Sequence, residues 1–319
     1  MERVLISLVI TTYNRATLLA DALKSVAASR IENHGDVEVI VVDNNSTDGT
    51  RQTVDKIMAD GFPFVLRYVF EPNQGLSHAR NRGADEASGL YIAFMDDDER
   101  IDEDYLARLE PAFRSTQAIC IGGPYVLCDN EPMPGWLPPL LQLSTGQQHY
   151  GKEVKVLDHE NGRLLGGNMA FIRQELLDIG KYNTHLGRSG SSLLAGEDYE
   201  LQDRLHKAGK KVVFHPGLIQ YTPLAPGRSK KSFWRRQRFD RGRTLYRRRL
   251  LDGELPKGPY LFNAPRWLWR DLFIRDIPKM ILSLAHLDMT ESFYRQLDAW
   301  TRLGQIQEAR EAAKRTVKA

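Results

Sequence analysis

Residues 96–99 are three aspartates and a glutamate in a row, directly after the apolar run LYIAFM. Like charges repel, so Asp96, Asp97 and Asp98 at the end of a strand-like segment need something that relieves the repulsion. A divalent cation does so. Hard oxygen donors suit Mg²⁺ or Mn²⁺, ions that bridge protein carboxylates to substrate phosphates. In extended backbone alternate residues point the same way, which predicts Asp96 and Asp98 on one face and Asp97 turned elsewhere. The plainer alternative is a solvated acidic turn ahead of the next helix. A second acidic pair, Glu197-Asp198, follows the Gly/Ser-rich stretch GRSGSSLLAG and opens a helical pattern. A helix N-terminus favours acids through its dipole alone. A carboxylate there can also act as a general base, removing a hydroxyl proton as a C–O bond forms. The 187–196 segment reads as a flexible loop able to close over such a site and exclude water.

These groups need a frame. VLISLVI (4–10), VEVIVVD (37–43), FVLRYVF (64–70) and LYIAFM (90–95) are short apolar runs of the kind expected of buried parallel strands. Between them lie helical patterns. In the first, Leu18, Leu19, Ala22, Leu23 and Val26 share a face; the second begins with Ser46 as a candidate N-cap; the third is GLSHARNRGADEAS (75–88). Strands alternating with helices predict a parallel α/β sheet over the first 120 residues. Ligands of such sheets bind at the carboxyl ends of the strands. The aspartate cluster, Asp43 in VVDNN and the TTYNR stretch (11–15) all fall at such ends, so three strand ends face one rim.

Beyond residue 120 the alternation breaks. GGPYVLCDNEPMPGWLPPLL is punctuated by Pro and Gly and predicts a long excursion, about 124–160, with Trp136 at its tip. A strand and helix in MAFIRQELLDIG, a helix from about 197 and a closing strand at 211–215 follow. A boundary is expected near 225: residues 1–225 form the α/β domain, divided at 120, which the resemblance given below makes the catalytic one, and 226–319 a basic, amphipathic helical region. Residues 228–249 hold eleven Lys or Arg against one Asp, in a chain whose net charge is only +3. Such a stretch is a solvated helix face, a nucleic-acid groove with stacking aromatics, or a surface for anionic lipid or a diphosphate-linked acceptor. The following PRWLWRDLFIRDIPKMILSLAHL favours the last; its composition is that of an interfacial segment or an oligomer seam.

With 42% hydrophobic and 27% charged residues in 319, the chain is expected to be soluble and globular. No run of about 18 apolar residues predicts a membrane span, and the N-terminus reads as a strand rather than a signal peptide. Two cysteines, Cys120 and Cys128, match no zinc or disulfide pattern and fit a reducing cytoplasm as buried thiols.

The blocks LVITTYNRATLLADALKSV, VEVIVVDNNSTDGT, GLSHARNRGADEASGLYIAFMDDDERIDEDYL and GGNMAFIRQELLDIGKYN…GEDYELQDRLHKAGKKVVFHP, in this order and spacing over residues 4–228, resemble family 2 glycosyltransferases with a GT-A fold. The resemblance implies a Rossmann-like, mainly parallel sheet with a helical C-terminal extension. It implies a UDP-, GDP- or dTDP-sugar donor, a glycan or lipid-linked acceptor, and inversion at the anomeric carbon, in cell-surface polysaccharide synthesis. Thr11, Tyr13 and Arg15, Asp43 and Asn45, Arg80, Asp96 and Asp97 then take the nucleotide-sugar side. Asp98, with Asp96, takes the metal. Asp198 takes the general base, with Glu197 orienting it or binding acceptor. Tyr13 in packing, Arg80 in a surface ion pair and Asp43 as a strand-end turn residue are the plainer roles. Relatives carry a His after the closing strand as a further metal ligand; here Thr222 stands there, and His215 falls seven residues early. The Gln-x-x-Arg-Trp signature of processive members is absent, which favours single addition by an enzyme in the cytoplasm or peripheral at the inner membrane face, through residues 228–290. A sugar-nucleotide nucleotidyltransferase would need a Gly-rich loop where TTYNR stands. A nucleic-acid-binding role for 228–249 leaves the carboxylates unexplained, so no nucleic-acid partner is expected. P-loop and G-x-G-x-x-G patterns are absent.

Overall fold

The computed structural model describes residues 4–128, 136, 150–190, 192–223, 227–228, 230–254, 258–286 and 289–316. Most of the predicted 124–160 excursion therefore lies outside the described residues. The chain divides into two units. The second begins at Ala225 and also takes in Trp136 and residues 192–195.

The first unit alternates as its apolar runs demand: β1 (Ile6–Thr12), α1 (Ala16–Ala27), β2 (Val37–Asp43), α2 (Thr50–Ala59), β3 (Val65–Phe70), α3 (Leu76–Glu86) and β4 (Tyr91–Asp96). After β5 (Arg100–Ile101) come α4 (Tyr105–Thr116), β6 (Cys120–Gly122), β7 (Tyr125–Leu127), β8 (Lys155–Leu157), β9 (Met169–Ile172) and α5 (Arg173–Asp178). The unit closes with α6 (Glu197–Lys207), β10 (Val212–Phe214) and β11 (Gln220–Thr222). Two details differ from expectation. Leu18 faces solvent while Leu19, Ala22, Leu23 and Val26 are buried. Ser46 does not cap α2; its hydroxyl accepts the Asn14 N–H, and Gly49 holds the cap position.

Among the described residues, eight strands form one sheet in the order β3-β2-β1-β4-β9-β6-β10-β8. The first four run parallel, and β9 joins antiparallel to both β4 and β6. Successive residues of β1 and β2 feed opposite layers. Leu8, Ile10, Val39 and Val41 pack on one face, and Val9, Ile40 and Val42 on the other. Fully burying one such side chain contributes roughly 1.5–3 kcal/mol, which explains near-continuous apolar strands. Register then levels the rim: Thr11 pairs with Asp96, and Thr12 with Asp43.

The second unit contains α7 (Lys231–Leu251), a hairpin of β12 (Tyr260–Leu261) and β13 (Ala264–Pro265), α8 (Arg266–Arg270), a π-helical turn (Asp271–Asp276), α9 (Ile277–Ala285) and α10 (Met289–Thr316). Trp136, the expected tip of the excursion, packs edge-on against Phe293 of α10. The basic stretch is partly neutralised from within. Arg243 and Arg247 of α7 both bond Glu308, which is 0% exposed on α10, and Arg243 also reaches Glu311.

Candidate active site

Strand β4 ends at Asp96, and the chain turns at once. The Glu99 N–H donates to the Asp96 carbonyl at 3.2 Å. Strand alternation therefore stops at Asp96, and the turn rather than the strand sets the directions of the next two aspartates. Instead, Asp97 and Asp98 meet the same guanidinium: Arg15 Nη1 donates to Asp97 Oδ1 at 2.9 Å and to Asp98 Oδ2 at 3.0 Å. Asp97 also accepts the Thr12 hydroxyl at 2.8 Å. Burial pushes its carboxyl up to about 6, against the pull of Arg15. Asp96 takes another partner, Arg80 Nη2, at 3.0 Å. Asp96 and Asp98, with side chains 32% and 24% exposed, are the open members of the cluster, and Asp97 the closed one.

Glu99 completes the turn from inside. Its Oε2 accepts the Asp96 N–H at 3.1 Å. Burial, then the charges of Asp96 and Asp98, raise its carboxyl well above the usual range. It stood in view at the end of DDDE, yet its role shows only once the turn folds it inward.

Arg80 was expected on the donor side of the cleft. It is 2% exposed instead, and its guanidinium joins the two acidic stretches: Nη2 holds Asp96, and Nη1 holds Glu197 Oε1 at 3.0 Å. Burial works against its charge, but Asp96, Tyr182 and Glu197 more than offset that. Two glycines make room. A Cβ at Gly83 would lie 2.3 Å from Val9 Cγ1, so its absence lets α3 lie close on β1. A Cβ at Gly166 would lie 2.6 Å from Arg80 Nη1.

Glu197 and Asp198 open α6. Glu197 is buried and its Oε1 accepts from Arg80. Asp198 accepts the Gly166 N–H at 3.1 Å through Oδ2 and the Tyr199 N–H at 2.8 Å through Oδ1. Burial first, then the neighbouring Glu197 charge, raise its carboxyl to about 7; Arg80 and the two backbone donors oppose this. A carboxylate held near neutrality suits proton abstraction at physiological pH.

Thr11, Tyr13, Arg15, the three aspartates and residues Arg188–Gly190 line a cleft of about 150 Å³. That loop is pinned to the start of α3: the Leu76 N–H donates to the Arg188 carbonyl, and the Ser189 hydroxyl to the Gln74 carbonyl. The exposed Arg188 is a cation that only its place in the glycine- and serine-rich GRSG stretch could have flagged. Within the second unit, Leu193 and Ala195 donate their N–H groups to Asp240 and Thr244 of α7.

Other expected residues stand apart from the cleft wall. Asp43 is buried, and both its oxygens are engaged, by the Ser46 N–H at 2.8 Å and the Tyr68 hydroxyl at 2.7 Å. Asn45 is exposed in the left-handed region, at φ 68°. Its neighbour Asn44 faces the cleft and braces the loop, accepting the Gly75 N–H and donating to the Asn73 carbonyl. Thr222 is buried in β11. His215 accepts the Gly217 N–H and borders a separate depression beside Arg108. Outside the cleft, His159, Asp203 and His206 cluster closely enough to hold a metal, and Arg163 contacts both His159 and Asp203.

Residues 7–180 match the model of a family described as Glycosyl transferase family 2. The chain is 29% identical over 247 residues to the succinoglycan biosynthesis protein ExoM of Rhizobium meliloti, covering 76% of this chain and 74% of that protein. It is 24% identical over 218 residues to a glucosyl-dolichyl phosphate glucuronosyltransferase of Haloferax volcanii, covering 66% of each. Among solved structures, mannosyltransferase PcManGT from Pyrobaculum calidifontis, in complex with GDP-Man and Mn²⁺, is similar in fold at a TM-score of 0.60. The identity is 19%, over 100% of this chain and 89% of that one.

Proposed function

The chain belongs to glycosyl transferase family 2, and on that premise we propose that its cleft transfers a sugar from a nucleotide-sugar donor to a hydroxyl of a glycan or lipid-linked acceptor, with inversion. The observation that carries this reading is the Asp96–Arg80–Glu197 connection. One buried guanidinium fixes both the acidic turn of the rim and the helix start that bears Asp198, so two groups with different tasks are held in register.

On the donor side, Thr11, Tyr13 and Arg15 line the nucleotide end, and Arg188 supplies positive charge toward the diphosphate. Asp43 and Asn45 shape the strand-end turn beside them. Asp98 and Asp96 would hold a divalent cation, Mn²⁺ or Mg²⁺. The residues fit one: hard carboxylate oxygens are the open members of the cluster, and Arg15 already marks a position for positive charge between Asp97 and Asp98. When bound, such a cation offsets charge building on the leaving nucleoside diphosphate. Asp198 takes the proton of the acceptor hydroxyl. The oxygen then attacks the anomeric carbon on the face opposite the diphosphate, the C–O bond to the diphosphate breaks, and the configuration inverts.

The names of the relatives, one in succinoglycan biosynthesis and one acting on a dolichyl phosphate-linked sugar, support a polysaccharide or lipid-linked acceptor. No helix among the described residues is long and apolar enough to cross a membrane. We place the protein in the cytoplasm, peripheral at the inner membrane face. The engagement of Arg243 and Arg247 by Glu308 weakens a nucleic-acid role for α7.

The test is a donor panel of UDP-, GDP- and dTDP-sugars, with and without Mn²⁺, read as nucleoside diphosphate release with an extract of lipid-linked saccharides as acceptor. Metal-dependent release from one donor, lost in Asp198→Asn, is expected. Release that persists in Asp198→Asn, or release from no donor at all, would overturn the reading.

A further inference from the structure

Residues 260–286 of the second unit present an apolar face to solvent in addition to the apolar side they bury, unlike an ordinary surface helix. In α9 the one buried residue is a serine, Ser283, while Ile281, Leu282 and Leu284 are exposed. In the π-helical turn, Asp276 points inward to Arg302 of α10 at 3.2 Å, and Phe273 and Ile274 point outward, Ile274 at 72% exposure. Leu268 and Leu272 are buried in the unit's core, so this segment is apolar on its outer side as well as its inner one.

The hairpin beside it repeats this sense. Its two turn residues, Phe262 and Asn263, have φ of 48° and 60°, the signature of a two-residue turn with both positions left-handed. That backbone is unfavourable for an aromatic residue. It holds Phe262 at the tip, 72% exposed. The tip is locked rather than loose: Trp269 Nε1 donates to the Leu261 carbonyl at 2.8 Å, and the Trp269 ring packs edge-on against Phe262 and stacks with Phe273. A strained turn that displays a large apolar ring to water is a feature in search of a non-aqueous neighbour.

The charges around the face say which neighbour. Its acids are withdrawn: Asp276 lies inside, and Asp271 is held by Arg270 and Arg275. Arg266 and Lys279 are further exposed cations. A twofold contact with a second copy would set cations against cations. An anionic bilayer supplies the complementary charge and the apolar phase together.

We propose that the hairpin tip, the π-helical turn and α9 form a bilayer-docking surface, in which Phe262, Phe273, Ile274, Ile281 and Leu282 enter the headgroup–acyl boundary and Arg266 and Lys279 meet lipid phosphates. The proposal sharpens the peripheral placement made above, and it stands independently of the reaction assigned to the cleft.

The experiment is co-sedimentation of the full chain with vesicles of phosphatidylcholine, with or without phosphatidylglycerol. Wild-type protein is expected to pellet with the mixed vesicles. Phe262→Ser/Ile274→Ser/Leu282→Ser, which changes only exposed side chains, is expected to weaken partition more than about tenfold while keeping its thermal unfolding midpoint. Arg266→Glu/Lys279→Glu is expected to lose the preference for the anionic vesicles. Asp98→Ala and Asp198→Asn, which stop transfer, are expected to bind as wild type does, so a failed reaction and a failed docking surface give different patterns. Wild-type protein that stays in the supernatant with every vesicle overturns the proposal, as does a triple variant that binds unchanged. A dimer in sedimentation velocity that the triple variant abolishes would give the face to a second copy instead and overturn it equally.

Discussion

Arg80 donates to Glu197 Oε1 at 3.0 Å across 117 residues of sequence, with almost none of its guanidinium exposed. The same group holds Asp96, so its removal strands two carboxylates. Arg80→Met is expected to cost about 3–5 kcal/mol, the usual penalty for breaking a buried ion pair from one side. That corresponds to a fall of roughly 6–20 °C in Tm. Arg80→Lys keeps the charge but cannot fork between two partners. It should fold, with a smaller loss of Tm and a clear loss of kcat. Thermal unfolding and steady-state kinetics on both variants check this.

The pH dependence of transfer follows from Asp198. The base acts ionised, and burial with Glu197 beside it raises its carboxyl to about 7. Activity should therefore fall as pH drops below about 7, approaching tenfold per pH unit, and level off above it. Asp198→Asn should remove this limb and lower kcat by about 10²–10⁴-fold. A kcat profile from pH 5 to 9 on both proteins measures it.

Gly166 leaves room for Arg80, since a Cβ there would stand 2.6 Å from Nη1. Gly166→Ala should cost about 1–3 kcal/mol through overpacking and reduce kcat by displacing the guanidinium. Gly49→Ala, where a Cβ meets nothing within 4 Å, is the matched control. Its cost should be limited to about 1 kcal/mol from placing Ala at the N-cap of α2, with kcat unchanged. Denaturant unfolding compares the two.

Arg188 is exposed and lines the same cleft as the aspartates. Arg188→Ala should raise KM for the donor about five- to tenfold, with unchanged Tm, because an exposed side chain contributes little to folding. Equal KM values in variant and wild type would remove Arg188 from the donor side.

Much of this was legible in the residues. Strands β1, β2 and β4 are buried on both faces, so they appear as unbroken apolar runs, and their ends mark the rim. The aspartate cluster announced itself, but its geometry did not. Alternation applies only while backbone stays extended, and the strand ends at Asp96. Arg80 was visible as a residue but not as a link, because its partners lie 16 and 117 positions away and only the folded sheet brings them to one guanidinium. Ser46 carried a cap signature, yet it serves the first strand's loop instead of α2. The basic stretch at 228–249 suggested one cationic surface. Carboxylates of α10, some 60 residues on, take up part of it, and the apolar face lies further along the chain.

Calorimetric titration of nucleoside diphosphates in the presence of Mn²⁺ tests the central claim most directly, because binding at the acidic rim needs no acceptor. The account predicts that at least one of UDP, GDP or dTDP binds wild-type protein only with the metal. It predicts that Asp98→Ala abolishes this binding and that Asp198→Asn leaves it intact. Binding of none of the three, or metal-independent binding that Asp98→Ala leaves unchanged, would contradict it.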